Sequence, residues 1–231
     1  GGGKTLDTAK ILKYLLAIKR IKKKLWVIPT IYGSGSESTS SAVYYVNFKK
    51  YSIQSKYIES DKIINIAELP MQAPKFFTKV SAMDCLCQSI ESIWSIKANQ
   101  KSIKLAEKSF RLSYDFLNTK LFAINKQKQN NIVIASKLIG QAMNISRTTA
   151  PHALSYPLSS YLNIPHGQAV CLTMKVLLEQ NLNKIKNNKK FEIYKKIFKA
   201  RNIDSICLKF NNLINSLKIN SKLNLKKSDI R

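Results

Sequence analysis

No stretch of this sequence is apolar for the length needed to cross a bilayer. The run AVCLTMKVLLEQ is too short and is broken by Lys175. No secretory leader is visible, because the chain opens on three glycines and a basic, amphipathic segment. A soluble, cytoplasmic protein without membrane partners is the expectation. The four cysteines, Cys85, Cys87, Cys171 and Cys207, include no CxxC pair and are expected as reduced, mostly buried thiols. Cys85 and Cys87 are two positions apart, so on a helix they share no face, which argues against a metal clip. Acidic residues number 13 against 39 basic ones, for a net charge of +26. That balance raises nucleic-acid binding as a minor alternative. Against it, no RGG, zinc-finger spacing or RNP-like aromatic strand occurs. The charge is spread along the chain, apart from clusters at Lys19 to Lys24 and in the C-terminal third. An A/T-rich coding bias toward Lys, Asn and Ile explains it without a polyanionic partner. No internal repeat is present. Histidine is scarce: the chain has only His152 and His166, each preceded by a proline.

What is present divides the chain near residue 79. GGGKTLDTAKILKYLLAIKR places a glycine turn before an amphipathic helix. Glycines let a backbone approach an anion, and free N–H groups at a helix start attract one. Leu6, Ala9, Leu12, Leu16 and Ile18 form the expected apolar stripe, with Asp7 in the first turn. Such a turn normally follows a buried strand, so the chain reads as a fragment whose first strands lie upstream. Leu25 to Ile28 reads as a buried strand ended by Pro29. A loop of small and hydroxyl residues follows, Thr30 to Ser36, offering hydroxyls and exposed N–H groups. SAVYYVNFKKYSI reads as a hairpin and KIINIAEL as a further strand. From about Thr78 the periodicity is helical to the C-terminus, including KSIKLAEKSFRLSYDFLNTKLFAI. Loops are expected at residues 126 to 131 and 156 to 165.

Asp84 and Gln88 lie one helical turn apart, on one face. Asp84 is a carboxylate among Met83, Leu86 and Ile90, and a buried lone carboxylate is costly without a cation. His152 and His166 could complete a site with it. Three protein ligands and an open position suit a catalytic divalent metal. Ordinary core or loop histidines remain the competing reading at this point.

GGGKTLDTAK, IPTIYGSGSE, AMDCLCQSIES and PHALSYPLSSYLNIPHG, in this order over residues 1 to about 180, resemble the iron-containing (group III) alcohol dehydrogenases. DCLCQSIESIWS and TTAPHALSYPL look most like the branch that reduces phosphonoacetaldehyde. The resemblance implies a dehydroquinate synthase-like, two-domain fold. Residues 1–79 would be the C-terminal part of an α/β nucleotide-binding domain, and residues 80–231 an all-helical metal and substrate domain. It implies a nicotinamide cofactor, NAD(P), held by Gly1, Gly2, Gly3, Asp7, Thr30, Ser34, Ser36 and Lys50. It implies a divalent metal, Fe(II) or Zn(II), on Asp84, Gln88, His152 and His166. Gln88 departs from the histidine of many members, and an amide oxygen is a weaker ligand. Tyr156 stands where many relatives have a further histidine and is the candidate proton donor, with packing as its other reading. Arg147 is the candidate anchor for a phosphonate group, with an ordinary surface arginine as the alternative.

The implied reaction is reduction of an aldehyde to a primary alcohol. A non-catalytic remnant and another enzyme of the superfamily, such as a polyol dehydrogenase, are the competing readings. A homodimer stays open.

Overall fold

The computed structural model describes residues 1–47, 49–66, 68–119 and 125–219. The first part holds helix α1 (Gly3–Ile18), strands β1 (Trp26–Val27), β2 (Ser41–Val46), β3 (Lys49–Gln54) and β4 (Lys62–Ile63), and a short helix α2 (Glu68–Met71). Seven helices follow: α3 (Lys75–Trp94), α4 (Gln100–Asn118), α5 (Lys126–Ser146), α6 (Ala150–Tyr161), α7 (His166–Ile185), α8 (Lys189–Phe198) and α9 (Ile203–Ser216). Strands β1 and β4 pair in parallel, Trp26 opposite Lys62, and β2 and β3 form an antiparallel hairpin. Among the described residues, the fold is an α/β portion followed by helices alone. The expected helix over residues 120–124 and the chain after residue 219 lie outside the described residues.

Helix α3 organises the second part. It is buried along nearly its whole length after Val80. Serines line its contacts and let helices approach closely. Ser89 donates to Ser109 at 2.9 Å, Ser92 meets Ser146 at 2.7 Å, and Ser95 donates to the Ser146 carbonyl at 2.5 Å. Beyond this seam lies an aromatic core of Phe110, Tyr194, Phe198 and Phe210, all fully buried.

Several expectations need correction. Residues 126–131 are not a loop, since α5 starts at Lys126 and Asn125 accepts from the Lys128 N–H at 2.9 Å. The polar run KQKQNN is largely the outer face of the first turns, with Gln129 turned inward. The loop expected at 156–165 shrinks to 162–165. Helix α6 continues through Pro157 to Tyr161, because Pro157 and Ala153 lie on the exposed side, where water can satisfy the freed carbonyl. His166 is the first residue of α7, which opens with the Ala169 N–H bonded to the Pro165 carbonyl at 3.0 Å. The stripe on α1 also differs: Leu12 and Ile18 are exposed, while Leu6 and Lys10 are buried. The strand at Leu25 to Ile28 is shorter than expected, and Val27 alone of the two β1 residues is buried.

Lys10 explains the departure on α1. Its ammonium donates to the Thr39 hydroxyl at 2.8 Å, to the Ser41 carbonyl at 2.9 Å, and to the Ser36 carbonyl. Burial pushes its pKa down to about 8, against the pull of Asp7 and Glu37. The inner face of α1 is thus a polar clamp on the loop after β1.

That loop is seated directly on α5. Gly35 has φ of 66°, and a Cβ there would stand 2.7 Å from the Gly140 backbone. A Cβ on Gly140 would stand 2.3 Å from the Gly35 carbonyl. Gly140→Ala is therefore expected to destabilise the protein by about 1–3 kcal/mol, the usual cost of overpacking. Urea unfolding that matched the parent within error would remove this contact from the account.

Candidate metal centre and cofactor loop

Three elements deliver the candidate metal ligands. Helix α3 places Asp84, Gln88 and Glu91 on successive turns of one face. Helix α6 supplies His152 from its first turn, behind Pro151, whose missing N–H is unneeded at that position. Helix α7 supplies His166 at its start. One donor atom from each of Asp84, His152 and His166 lies within 4.8 Å of the other two. His152 Nε2 is 3.2 Å and His166 Nε2 4.0 Å from Asp84 Oδ1.

Gln88 belongs to the same space. It is buried, and its Oε1 has no hydrogen-bond partner. A buried amide oxygen without a donor is costly, and one beside an Asp–His–His cluster has the right chemistry for a fourth, oxygen contact to a cation. The donor set of one carboxylate, two imidazoles and one amide oxygen fits a divalent ion.

Electrostatics separate the two histidines. Burial alone would lower the His152 pKa, but Glu91 and Asp84 on either side raise it to about 10. Burial, together with His152 and Lys50, pushes His166 down to about 4, despite the pull of Asp84. His166 is therefore a neutral imidazole at neutral pH. It is also the accessible member, with 40% of its side chain exposed against 3% for His152. Burial would raise the Asp84 carboxyl, but His166, His152 and Gln88 together hold it below the usual range.

Glu91 escaped the sequence reading. It is fully buried, and its Oε1 lies 2.5 Å from His152 Nδ1. A signal existed: a carboxylate seven positions after Asp84, on the same face of an apolar helix.

Tyr156 and Lys50 form the outer wall. The Tyr156 ring stacks on His166, with centroids 6.1 Å apart, and Lys50 Nζ sits 3.1 Å above the Tyr156 ring. Burial lowers Lys50 to about 8, although Asp7 and Asp84 pull the other way. Burial also raises the Tyr156 phenol, which keeps its proton at neutral pH. An open cleft of about 440 Å³ runs beside them, between β3 and α6, lined by Lys49, Lys50, Tyr51, Tyr156 and Tyr161. Arg147 is the C-cap residue of α5, with φ of 61°, and the Lys50 ammonium interacts electrostatically with Asp84 and His166.

The glycine turn and the hydroxyl loop lie side by side. The Thr30 N–H donates to the Gly1 carbonyl at 3.1 Å, and Ser34 Oγ is 3.1 Å from where a Cβ on Gly3 would stand. Gly2 faces Ile31. The loop's N–H groups are less free than expected. Gly33 and Gly35 both donate to Ser136 Oγ, at 3.0 and 3.2 Å, and that hydroxyl donates to the buried Glu37 at 2.8 Å. Asp7 accepts from Ser36 Oγ at 2.5 Å and from the Val43 N–H at 3.0 Å. Asp7 and Ser36 therefore brace the loop. Thr30 and Ser34 are its half-buried hydroxyls.

Comparison with known proteins gives a consistent result. Residues 78–231 match the C-terminal model of the Fe-containing alcohol dehydrogenase family, and residues 1–65 match the model for iron-containing alcohol dehydrogenases. The 1-propanol dehydrogenase PduQ of Salmonella typhimurium is 30% identical over 188 residues, covering 78% of this chain and 50% of that protein. Phosphonoacetaldehyde reductase of Streptomyces viridochromogenes is 27% identical, covering 67% of this chain and 40% of that one. The crystal structure of sulfoacetaldehyde reductase from Bifidobacterium kashiwanohense, in complex with NAD+, superposes with a TM-score of 0.86 at 24% identity. That match covers 100% of this chain and 66% of the other. The chain spans about half the length of curated relatives that it matches.

Proposed function

Because the chain belongs to the iron-containing alcohol dehydrogenase family, we propose that it serves a metal- and nicotinamide-dependent enzyme reducing a short aldehyde to a primary alcohol. The observation that carries this reading is the convergence of Asp84, His152 and His166 beside the unpartnered oxygen of Gln88. In this reading residues 1–79 belong to the nucleotide domain and residues 80–231 to the metal and substrate domain. Four free cysteines suit a reducing, cytoplasmic setting.

When bound, a divalent ion, Fe(II) or Zn(II), supplies Lewis acidity toward a carbonyl oxygen, and a nicotinamide cofactor, NAD(P), supplies the hydride. The remaining work belongs to this chain. Asp84, His152 and His166 would hold the ion through one carboxylate and two imidazoles, with Gln88 Oε1 as a weaker contact. Gly1 to Gly3, Thr30 and Ser34 would line the cofactor's phosphates, with Lys50 as a further contact to the nucleotide. Asp7 and Ser36 shape that wall from behind. Tyr156, beside His166, would carry the proton for the alcohol oxygen. A phosphonate-bearing aldehyde is the candidate substrate, with Arg147 the candidate anchor for its charge and Lys50 a further cation beside Asp84 and His166.

Tyr156→Phe is expected to lower kcat by about 10²–10⁴-fold, the usual worth of a general acid, with metal affinity unchanged. Unaltered kcat would reduce Tyr156 to packing. The activity itself is tested by following oxidation of reduced nicotinamide with propanal, 4-oxobutyrate and phosphonoacetaldehyde. Turnover should appear with Fe(II) or Zn(II) and vanish on chelation. Turnover indifferent to chelation, or none with any aldehyde, would contradict the proposal.

A further inference from the structure

His152 is held from both sides. Its Nε2 faces Asp84 at 3.2 Å, and its Nδ1 lies 2.5 Å from Glu91 Oε1. The second oxygen of Glu91 accepts from the Thr149 hydroxyl at 2.7 Å and from the Thr149 N–H. Trp94 Nε1 donates to that same Thr149 hydroxyl at 2.9 Å. A continuous line runs from Trp94 through Thr149 and Glu91 to His152.

Two features show that this line is more than ordinary packing. Thr149 is the N-cap residue of α6, yet its side chain makes no capping hydrogen bond to its own helix. Threonine at that position ordinarily accepts from an N–H in the first turn. Here the hydroxyl is turned toward Glu91 and Trp94 instead. Glu91, for its part, is fully buried, and among the described residues its ion-pair partner is His152, with no lysine or arginine beside it. A buried carboxylate contributes little to stability as such, so its retention calls for a positional reason.

We infer that Glu91 is the positioning residue of this centre: braced by Thr149, it grips His152 Nδ1 and so aims Nε2 at Asp84. With Nδ1 donating to Glu91, the ring can neither flip nor rotate without breaking a buried hydrogen bond, and Nε2 is the nitrogen left for a ligand role. Thr149 and His152 are three residues apart on the first turn of α6, and Glu91 touches both. The same carboxylate therefore fixes the ring's rotation and the register of α6 against α3. Outer partners of this kind orient metal-binding imidazoles and raise their basicity.

This inference rests on the metal reading above, and the test separates the two. The chain has two tryptophans, and Trp26 is exposed. In a Trp26→Phe background, Trp94 fluorescence reports titration with Zn²⁺ or Co²⁺ alone. The parent should bind saturably and His166→Ala should not. Glu91→Gln is expected to weaken binding by about 10–100-fold, because an amide cannot accept from both Nδ1–H and the Thr149 N–H. Glu91→Asp, which keeps the carboxylate, should fall between. Thr149→Val removes only the brace and should weaken binding in the same direction by a smaller factor. Melting of the metal-free variants shows whether they are folded. Were Glu91→Gln not to fold, Thr149→Val decides. Unchanged affinity in a folded Glu91→Gln or Thr149→Val protein overturns the positioning role while leaving the metal centre standing. No binding by the parent, or full binding by His166→Ala, overturns both.

Discussion

His152→Ala is expected to abolish stable metal binding and, with it, any metal-dependent aldehyde reduction. The expected loss exceeds the ~10–100-fold that removal of an outer partner costs, because a direct ligand disappears. Two buried carboxylates, Asp84 and Glu91, flank this imidazole at 3.2 and 2.5 Å. Removing it leaves both without their cation, and breaking a buried ion pair costs about 3–5 kcal/mol. The variant should therefore melt lower as well as fail to bind. His166→Ala gives the contrast. That side chain is 40% exposed and 4.0 Å from Asp84. It should lose the metal with far less effect on the melt. Equilibrium dialysis against Zn²⁺ and thermal unfolding of both variants check the pair. Equal melting losses would mean that His152 is not the buried keystone between the carboxylates.

Gly167→Ala is expected to lower stability and metal affinity together. The backbone of α7 touches α3 at this point: a Cβ would stand 2.1 Å from the Val80 carbonyl oxygen and 3.1 Å from Asp84 Cβ. Neither neighbour is the tip of a flexible side chain, so the helices must move apart. Overpacking of this kind costs about 1–3 kcal/mol, and here the displaced residues are Asp84 and the adjoining His166. Zn²⁺ affinity and stability should fall together. A variant that melts and binds like its parent would mean that the start of α7 tolerates displacement and that its approach to α3 does not set the site.

The candidate site was largely legible in the sequence because its signals are local and rare. Asp84 and Gln88 share a helical face by spacing alone, and the histidines are the two in the chain, each marked by a proline. The division into an α/β portion and a run of helices was legible from the change of periodicity near Thr78. What stayed hidden depends on contacts between distant segments. Glu91 has no role until α6 brings Thr149 and His152 against it. Lys10 is one of 39 basic residues, and nothing in its neighbours announces that a loop some thirty residues later will enclose it. Gly33 and Gly35 suggested free N–H groups, but Ser136, about a hundred residues on, accepts from both. The boundary errors have a related cause. The polar run at residues 126–131 reads as a loop by composition, whereas in the structure it is largely the outer face of a helix capped by Asn125.

In this reading Asp84, His152, His166 and Gln88 surround a divalent cation. Anomalous diffraction from crystals of the metal-loaded chain, recorded above and below the iron and zinc absorption edges, tests it most directly. One strong peak is expected, about 2.0–2.2 Å from a carboxylate oxygen of Asp84 and one nitrogen of each imidazole. Gln88 Oε1 should turn toward the peak, and the peak should be missing in His152→Ala. No peak at this position, or a peak held by other residues while these four side chains stay as they are, would contradict it.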